Sequence, residues 1–80
     1  MREFIATFHT HLSALMTSRK LSAMGLQARM MPVPRKLSSS CGTCVLYQSQ
    51  DPQLDIMDED VEGVYEVVGH ETYTQLMSNE

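Results

Sequence analysis

The chain has 80 residues, of which 42% are hydrophobic and 20% are charged, and its net charge is −4. This length predicts a single domain covering residues 1–80, with a core of helix packed on one small sheet or of bundled helices. No apolar run approaches the ~20 residues of a membrane helix, and the first residues lack the apolar core of a signal peptide. We therefore expect a cytoplasmic protein that has no membrane partner.

Charge is distributed unevenly along the chain. All six Lys and Arg residues lie within residues 1–40 with one acid, and the other nine acids lie within residues 41–80, so the halves carry +5 and −9. This pattern predicts that the two halves attract each other in the fold, and a basic surface that docks an anionic partner is the alternative. The acidic total and the lack of an aromatic-rich basic stripe argue against nucleic acid as a partner.

The first half of the chain predicts a strand, a helix and a second strand. Alternating apolar residues are typical of a strand, and they occur on both sides of the helical segment. Thr10 or Ser13 can cap the start of the helix, and Gly25 suits the position just after its end. The predicted elements are a strand over residues 3–9, a helix over residues 12–24 and a strand over residues 26–31.

The second half predicts two further strands and two short helices. Pro52 favours the start of a helical turn, and an acidic run over residues 58–62 is expected on a solvated turn, without the spacing of a calcium loop. The order of elements favours an α+β fold, the ferredoxin-like βαββαβ two-layer sandwich, with a short second helix and a short C-terminal helix. The predicted elements are a strand over 44–48, a helical turn over 51–58, a strand over 63–68 and a helix over 71–77.

The chemistry of the chain is concentrated around its only two cysteines, Cys41 and Cys44, which have two residues between them. In a reducing compartment such a pair indicates redox, carrier or metal chemistry rather than a structural disulfide. A reactive cysteine must be a thiolate, which nearby cations and backbone N–H groups stabilise. Arg35, Lys36 and the residues 38–42, hereafter the serine loop, are predicted to supply these groups; the alternative is a tight polar turn with an unreactive Cys41. The predicted binding residues are Arg35, Ser38, Ser39, Ser40 and Gly42.

The Cys-x-x-Cys spacing leaves other thiol chemistry open. A thioredoxin fold is not predicted, because there the motif opens a long helix, whereas here it leads into a strand. The pair can form a dithiol–disulfide switch on another fold if the turn allows closure. A zinc site would need two more ligands, for which His9 and His11 are the candidates. These histidines could instead act as proton partners of Cys41 or face solvent.

One segment resembles a known family. Pro34-Arg35, Leu37 and the run Ser38-Ser39-Ser40-Cys41-Gly42 are similar to the small bacterial proteins described as selenium/sulfur carrier-like, supported by Gly63-Val64-Tyr65. The resemblance covers about residues 2–68, which leaves residues 69–80 as a C-terminal extension. Cys41 matches the family position, whereas Cys44 lies outside the core of the pattern.

The resemblance implies a carrier of sulfur or selenium rather than a stand-alone enzyme. Cys41 would hold a persulfide or a selenium adduct for transfer to a partner enzyme, and Cys44 would resolve the adduct or close a disulfide with Cys41. The implied partner is a protein that donates or accepts sulfur or selenium. The resemblance is also compatible with a homo-oligomer, and it implies no cofactor or metal. The competing functions are a thiol–disulfide switch and a small zinc-binding interaction module.

Overall fold

The computed structural model, which describes residues 1–79, contains one α-helix and a five-stranded antiparallel sheet. In chain order the elements are β1 (Arg2–Phe8), α1 (His11–Ala23), β2 (Gln27–Pro32), β3 (Thr43–Ser49), a 3₁₀ turn (Leu54–Ile56), β4 (Val61–Gly69) and β5 (Thr72–Ser78). The strand order in the sheet is β2-β3-β1-β4-β5, so β1 is central and β2 and β5 form the edges. The first helix and the four predicted strands are confirmed, with ends that differ by at most two residues.

The core lies between helix α1 and one face of the sheet. Alternate residues of β1 point toward the helix, and Phe4, Ala6 and Phe8 are completely buried there. The Phe4 ring stacks on Tyr47 of β3, with 5.3 Å between ring centroids. The central strand therefore carries most of the aromatic packing and ties β3 to the helix. The remaining core residues are Ala14, Leu21, Val45, Val61 and Val64.

Helix α1 is capped by Thr10 at its start and is followed by Gly25 at its end. Thr10 is the N-cap in an extended conformation, and its side chain accepts a hydrogen bond from the backbone N–H of Ser13 at 3.2 Å. Asp60 also accepts bonds from the Thr10 N–H (2.9 Å) and hydroxyl (3.0 Å), which fixes the junction of β1 and α1 against the start of β4. Gly25 follows the helix with φ of +83°, a conformation that glycine adopts readily.

The predicted C-terminal helix is wrong, because residues 72–78 form strand β5. Glu71 adopts a φ of 53° in the short turn after β4, which reverses the chain and pairs β5 antiparallel with β4. Thr72, Tyr73 and Thr74 are residue types enriched in strands, and the pairing with β4 decides the outcome. Within the segment 69–80 that was predicted as an extension, residues 72–78 therefore supply an edge strand of the sheet.

The predicted helical turn over residues 51–58 shortens to a single 3₁₀ turn, Leu54–Ile56. Gln53 adopts the left-handed conformation with φ of 56°, which a continuous helix does not accommodate. The buried Tyr47 hydroxyl donates a hydrogen bond to the Pro52 carbonyl at 2.5 Å, so this segment is held against β3. With five strands and one α-helix in the described residues, the ferredoxin-like βαββαβ order is not confirmed, and the fold is a small α+β sandwich.

The two oppositely charged halves make few ion pairs with each other. Within residues 1–79, the only Lys or Arg that bonds to a carboxylate is Arg2, which pairs with Glu66 at 2.8 Å. The other five cations form no ion pair in this part of the chain. Close ion pairing between the two halves is thus limited, in these residues, to Arg2 with Glu66 and to the contact of His9 with Glu62. In the same residues, no helix is both long and apolar enough to cross a membrane.

Candidate functional site

Three strand ends meet at the end of the sheet that carries the cysteines. Thr7, near the end of β1, lies opposite Cys44 at the start of β3, and Phe8 lies opposite Val61 at the start of β4. The serine loop precedes β3 and bonds to both β1 and β4, because the Ser39 hydroxyl donates to the Phe8 carbonyl at 2.8 Å and the Ser40 hydroxyl donates to a side chain of β4 at 2.7 Å. Antiparallel pairing therefore brings a loop and three strand ends to one place.

The shape of the serine loop depends on Gly42. This residue has φ of +73°, a conformation in which any other L-residue except asparagine or aspartate is rare. Its N–H donates to the Ser39 carbonyl at 3.2 Å, and its carbonyl accepts from the Val33 N–H at 3.1 Å. These bonds close the loop at the entry to β3. The glycine is needed here for backbone conformation, since the space around its Cα is open.

Cys41 is a free, half-buried cysteine whose sulfur faces hydrogen-bond acceptors. Its thiol donates to the Thr43 carbonyl at 3.4 Å and lies 3.6 Å from the Ser39 hydroxyl. A hydroxyl has a single proton, which Ser39 directs to the Phe8 carbonyl in its shortest bond. In this arrangement Ser39 does not donate to the sulfur, and the Cys41 thiol proton is directed to the Thr43 carbonyl.

Cys44 is a free cysteine in a very different environment. It is completely buried, and its thiol donates to the Pro32 carbonyl at 3.8 Å. Burial, with a smaller contribution from the neighbouring Cys41, raises the pKa of Cys44 to about 11. Only the thiolate is a good nucleophile. Cys44 is therefore protonated near neutral pH, and the resolving role predicted for it would require both exposure and ionisation.

The anion that the serine loop binds is the carboxylate of Glu62, on β4. The Ser40 N–H donates to Glu62 Oε1 at 2.9 Å, and the Ser40 hydroxyl donates to Glu62 Oε2 at 2.7 Å. Burial alone would raise the pKa of Glu62, but these bonds and the nearby His9 outweigh it and hold that pKa below its usual value. The predicted nest of N–H groups around Cys41 is not formed by Ser40 or Gly42, whose N–H groups bond elsewhere.

Sequence reasoning missed Glu62, which it placed on a solvated turn. That prediction is wrong for this residue, because Glu62 is only 8% exposed. The signal that could have found it is its position between the apolar Val61 and the run Gly63-Val64, at the start of a buried strand. A lone acid in such a place needs hydrogen-bond donors, and the serine loop supplies them.

Within residues 1–79, the other predicted site residues form no hydrogen bond to either sulfur atom. Arg35, Lys36 and Ser38 are exposed, and within residues 1–79 none of them forms an ion pair or a side-chain hydrogen bond.

His9 Nδ1 lies 3.4 Å from Glu62 Oε2, and His11 Nδ1 lies 3.5 Å from the Thr43 hydroxyl. The residues described contain no group of three or more His, Cys, Asp or Glu side chains placed to hold a metal ion. The zinc site considered from the sequence is therefore not assembled.

The buried thiol predicts a loss of stability in alkali. The folded protein keeps the pKa of Cys44 near 11, above the value of an ordinary cysteine. The stability that the protonated Cys44 thiol contributes is therefore complete below the ordinary cysteine pKa and is lost as the pH rises toward 11. We expect the free energy of unfolding in urea to fall by about 2–3 kcal/mol over that range on account of Cys44. Replacing Cys44 with alanine should make the decline shallower. An equally steep decline in that variant would contradict the assignment.

The structure is thus a small α+β fold that holds two free thiols, one half-buried on a polar loop and one buried at the start of a strand. The chain belongs more specifically to the family described as "Putative Se/S carrier protein-like", whose model matches residues 3–66. This match confirms the resemblance seen in the serine loop and the residues before it.

A relative from Escherichia coli (strain K12) is also similar to this chain. It is the "Uncharacterized protein YtiA", which is 36% identical over 45 residues, covering 56% of this chain and 53% of the relative. The chain thus matches about half the length of this curated relative. No solved structure gives a significant match.

Proposed function

We propose that this protein carries sulfur or selenium on Cys41 and hands it to a partner protein. The observation that supports this most directly is the contrast between the two thiols: Cys41 is half-buried on the loop that the family model covers, whereas Cys44 is completely buried. A carrier needs one accessible sulfur that donor and acceptor can both reach. The reaction also needs reduced thiols, for which the cytoplasm is the suitable compartment.

The proposed loading step is a sulfur transfer between thiols. The Cys41 thiolate attacks the outer sulfur of a donor persulfide, R–S–SH, forming Cys41–S–SH and releasing the donor thiolate, R–S⁻. Unloading is the same reaction with an acceptor thiolate as the nucleophile, which regenerates the Cys41 thiolate. Selenium follows the same path with one chalcogen exchanged.

The serine loop and its cations have distinct parts in this proposal. Ser39 lies 3.6 Å from the Cys41 sulfur, so rotation of its hydroxyl away from the Phe8 carbonyl supplies a hydrogen bond to a sulfur anion. The exposed Arg35 and Lys36, which make no ion pair in the described residues, are free to meet acidic groups of a donor or acceptor. Ser38 lies exposed at the start of the same loop, and Gly42 maintains the turn that places Cys41.

In this proposal Cys44 does not resolve the adduct under resting conditions. If the Cys44 thiolate attacked the inner sulfur of Cys41–S–SH, a Cys41–Cys44 disulfide and hydrosulfide would form, and the cargo would be lost. The raised pKa and the burial of Cys44 suppress that attack. The cargo on Cys41 is protected because the second thiol is protonated and buried.

The experiment is mass spectrometry of the intact protein after incubation with a cysteine desulfurase and cysteine. We expect the mass of one extra sulfur on the wild type and on Cys44→Ser, and no gain on Cys41→Ser. Tandem mass spectrometry should place the sulfur on Cys41. No gain on Cys41 in either the wild type or Cys44→Ser, with a desulfurase that loads another carrier in parallel, would refute the proposal. Loss of two hydrogens instead, with hydrosulfide released, would favour the thiol–disulfide switch.

A further inference from the structure

Glu62 is an acidic residue that is only 8% exposed, and its carboxylate lies beside the serine loop. Both of its oxygens are used by one residue, since Oε1 accepts from the Ser40 N–H at 2.9 Å and Oε2 from the Ser40 hydroxyl at 2.7 Å. Hydrogen bonds to a carboxylate are stronger than those between neutral groups. Glu62 therefore fixes both the backbone and the side chain of Ser40.

Ser40 lies between Ser39 and Cys41 in the chain, so its position affects both residues. The Ser39 hydroxyl lies 3.6 Å from the Cys41 sulfur. The thiol bond to the Thr43 carbonyl, at 3.4 Å, requires the loop to keep this conformation. A loop of small polar residues has little packing of its own to maintain a single shape. The bonds from Ser40 to Glu62 supply the missing constraint from another strand, 22 residues away in sequence.

We propose that Glu62 is a positioning residue for Cys41: through its two hydrogen bonds with Ser40 it holds the serine loop in the conformation that keeps the Cys41 thiol half-buried and bonded to Thr43. The functional meaning of this role rests on the carrier function proposed above, in which Cys41 bears the cargo. The contacts themselves do not depend on that function. When the carboxylate is lost or protonated, the loop opens and Cys41 becomes more accessible.

The ionisation of Glu62 takes place among several titratable groups. His9, after β1, lies 3.4 Å from Oε2, and Asp60, two residues before Glu62, also interacts with His9. From the loop, Cys41 lies next to Ser40 in sequence, and His11 of α1 contacts Thr43. Since the folded protein lowers the pKa of Glu62, the constraint is complete above the ordinary pKa of glutamate and is lost as the pH falls through the lower, folded value.

The experiment measures how fast each thiol of the folded protein reacts with 4,4′-dithiodipyridine between neutral and acid pH. Each reaction forms a mixed disulfide and releases one thiopyridone, and tandem mass spectrometry assigns it to Cys41 or Cys44. Rates are divided by that of glutathione at the same pH, which removes the pH dependence of the reagent. We expect the normalised Cys41 rate of the wild type to be flat near neutral pH and to rise only in acid, below the ordinary pKa of glutamate.

Glu62→Gln should raise the normalised Cys41 rate about tenfold at neutral pH, the scale expected for losing a hydrogen bond to a charged group. The acid rise should disappear in this variant and persist in Asp60→Asn. Ser40→Ala, which removes one of the two bonds, should give a smaller increase and should not add fully to Glu62→Gln in the double variant. Glu66→Gln is the matched control, because it makes the same change on the same strand at the Arg2 ion pair.

The buried Cys44 separates positioning from general destabilisation. If Glu62 acts on the loop alone, the Cys44 rate in Glu62→Gln should stay within about twofold of the wild type while the Cys41 rate rises. Equal increases at both thiols, in Glu62→Gln and in Ser40→Ala, would show a purely structural role and overturn the proposal. An unchanged Cys41 rate would overturn it as well. No persulfide is formed in this experiment, so its outcome is independent of whether Cys41 carries sulfur.

Discussion

Iodoacetamide is expected to modify Cys41 and to spare Cys44 in the folded protein. Alkylation requires a thiolate, and a thiol whose pKa is about 11 presents roughly a hundredth of the thiolate of an ordinary cysteine at neutral pH. Complete burial of Cys44 slows its reaction further, because the reagent must wait for the sheet to open. We therefore expect a ratio of rates of at least about a hundred, measured by tandem mass spectrometry over a time course.

Concentrated urea supplies the control for this prediction. In the unfolded chain both cysteines are exposed, and their alkylation rates should converge to within a few-fold. Cys41→Ser should leave the folded protein nearly unreactive, whereas Cys44→Ser should react like the wild type. Comparable rates at both thiols in native buffer would show that Cys44 is accessible. In that case a disulfide between the two thiols would become the better account of their spacing.

The parts of the fold that could be predicted are those determined by local chemistry. The alternation of apolar residues in β1 and β2 identified two strands, and Thr10 and Gly25 identified the ends of the helix within one residue or two. Each of these signals depends on residues close together in the chain. Cys41 could be identified for a different reason, since it lies in a short run of residues that resembles a family.

The parts that could not be predicted depend on residues far apart in sequence. Residues 72–78 are compatible with a short helix or a strand, and pairing with β4 selects the strand. The binding of Ser40 by Glu62 likewise requires β4 to lie beside β1, with Phe8 opposite Val61. A sequence contains no direct statement of such a register, so the loop was predicted to bind the Cys41 sulfur instead of a carboxylate.

The difference between the two cysteines could be predicted only in part, because it depends on both local sequence and strand pairing. Cys44 was predicted at the start of β3, and it occupies that strand, opposite Thr7 of the central strand. Cys44 is completely buried there, and this burial raises the pKa of its thiol. The spacing Cys-x-x-Cys suggests two equivalent thiols. The strand that begins at Thr43 makes them unequal.

Replacing Phe4 with alanine is expected to cost about 3–5 kcal/mol of unfolding free energy. Phe4 is completely buried in the central strand, stacks on Tyr47 at 5.3 Å and lies under the Arg2 guanidinium at 5.0 Å. A domain of this size has roughly 4–12 kcal/mol of stability in total, so the variant should be close to unfolding. Urea unfolding followed by circular dichroism measures the loss, and the thermal midpoint should fall by at least about 12 °C.

The matched control is Leu12→Ala, which removes an apolar side chain that is 62% exposed on helix α1 and should change stability by less than about 0.5 kcal/mol. Cys44 provides a second readout, since its alkylation requires the sheet to open. In Phe4→Ala the Cys44 rate should rise by two or more orders of magnitude, in proportion to the lost stability, and far more than the Cys41 rate. A stable Phe4→Ala variant with an unreactive Cys44 would mean that the β1–β3 core does not control access to the buried thiol.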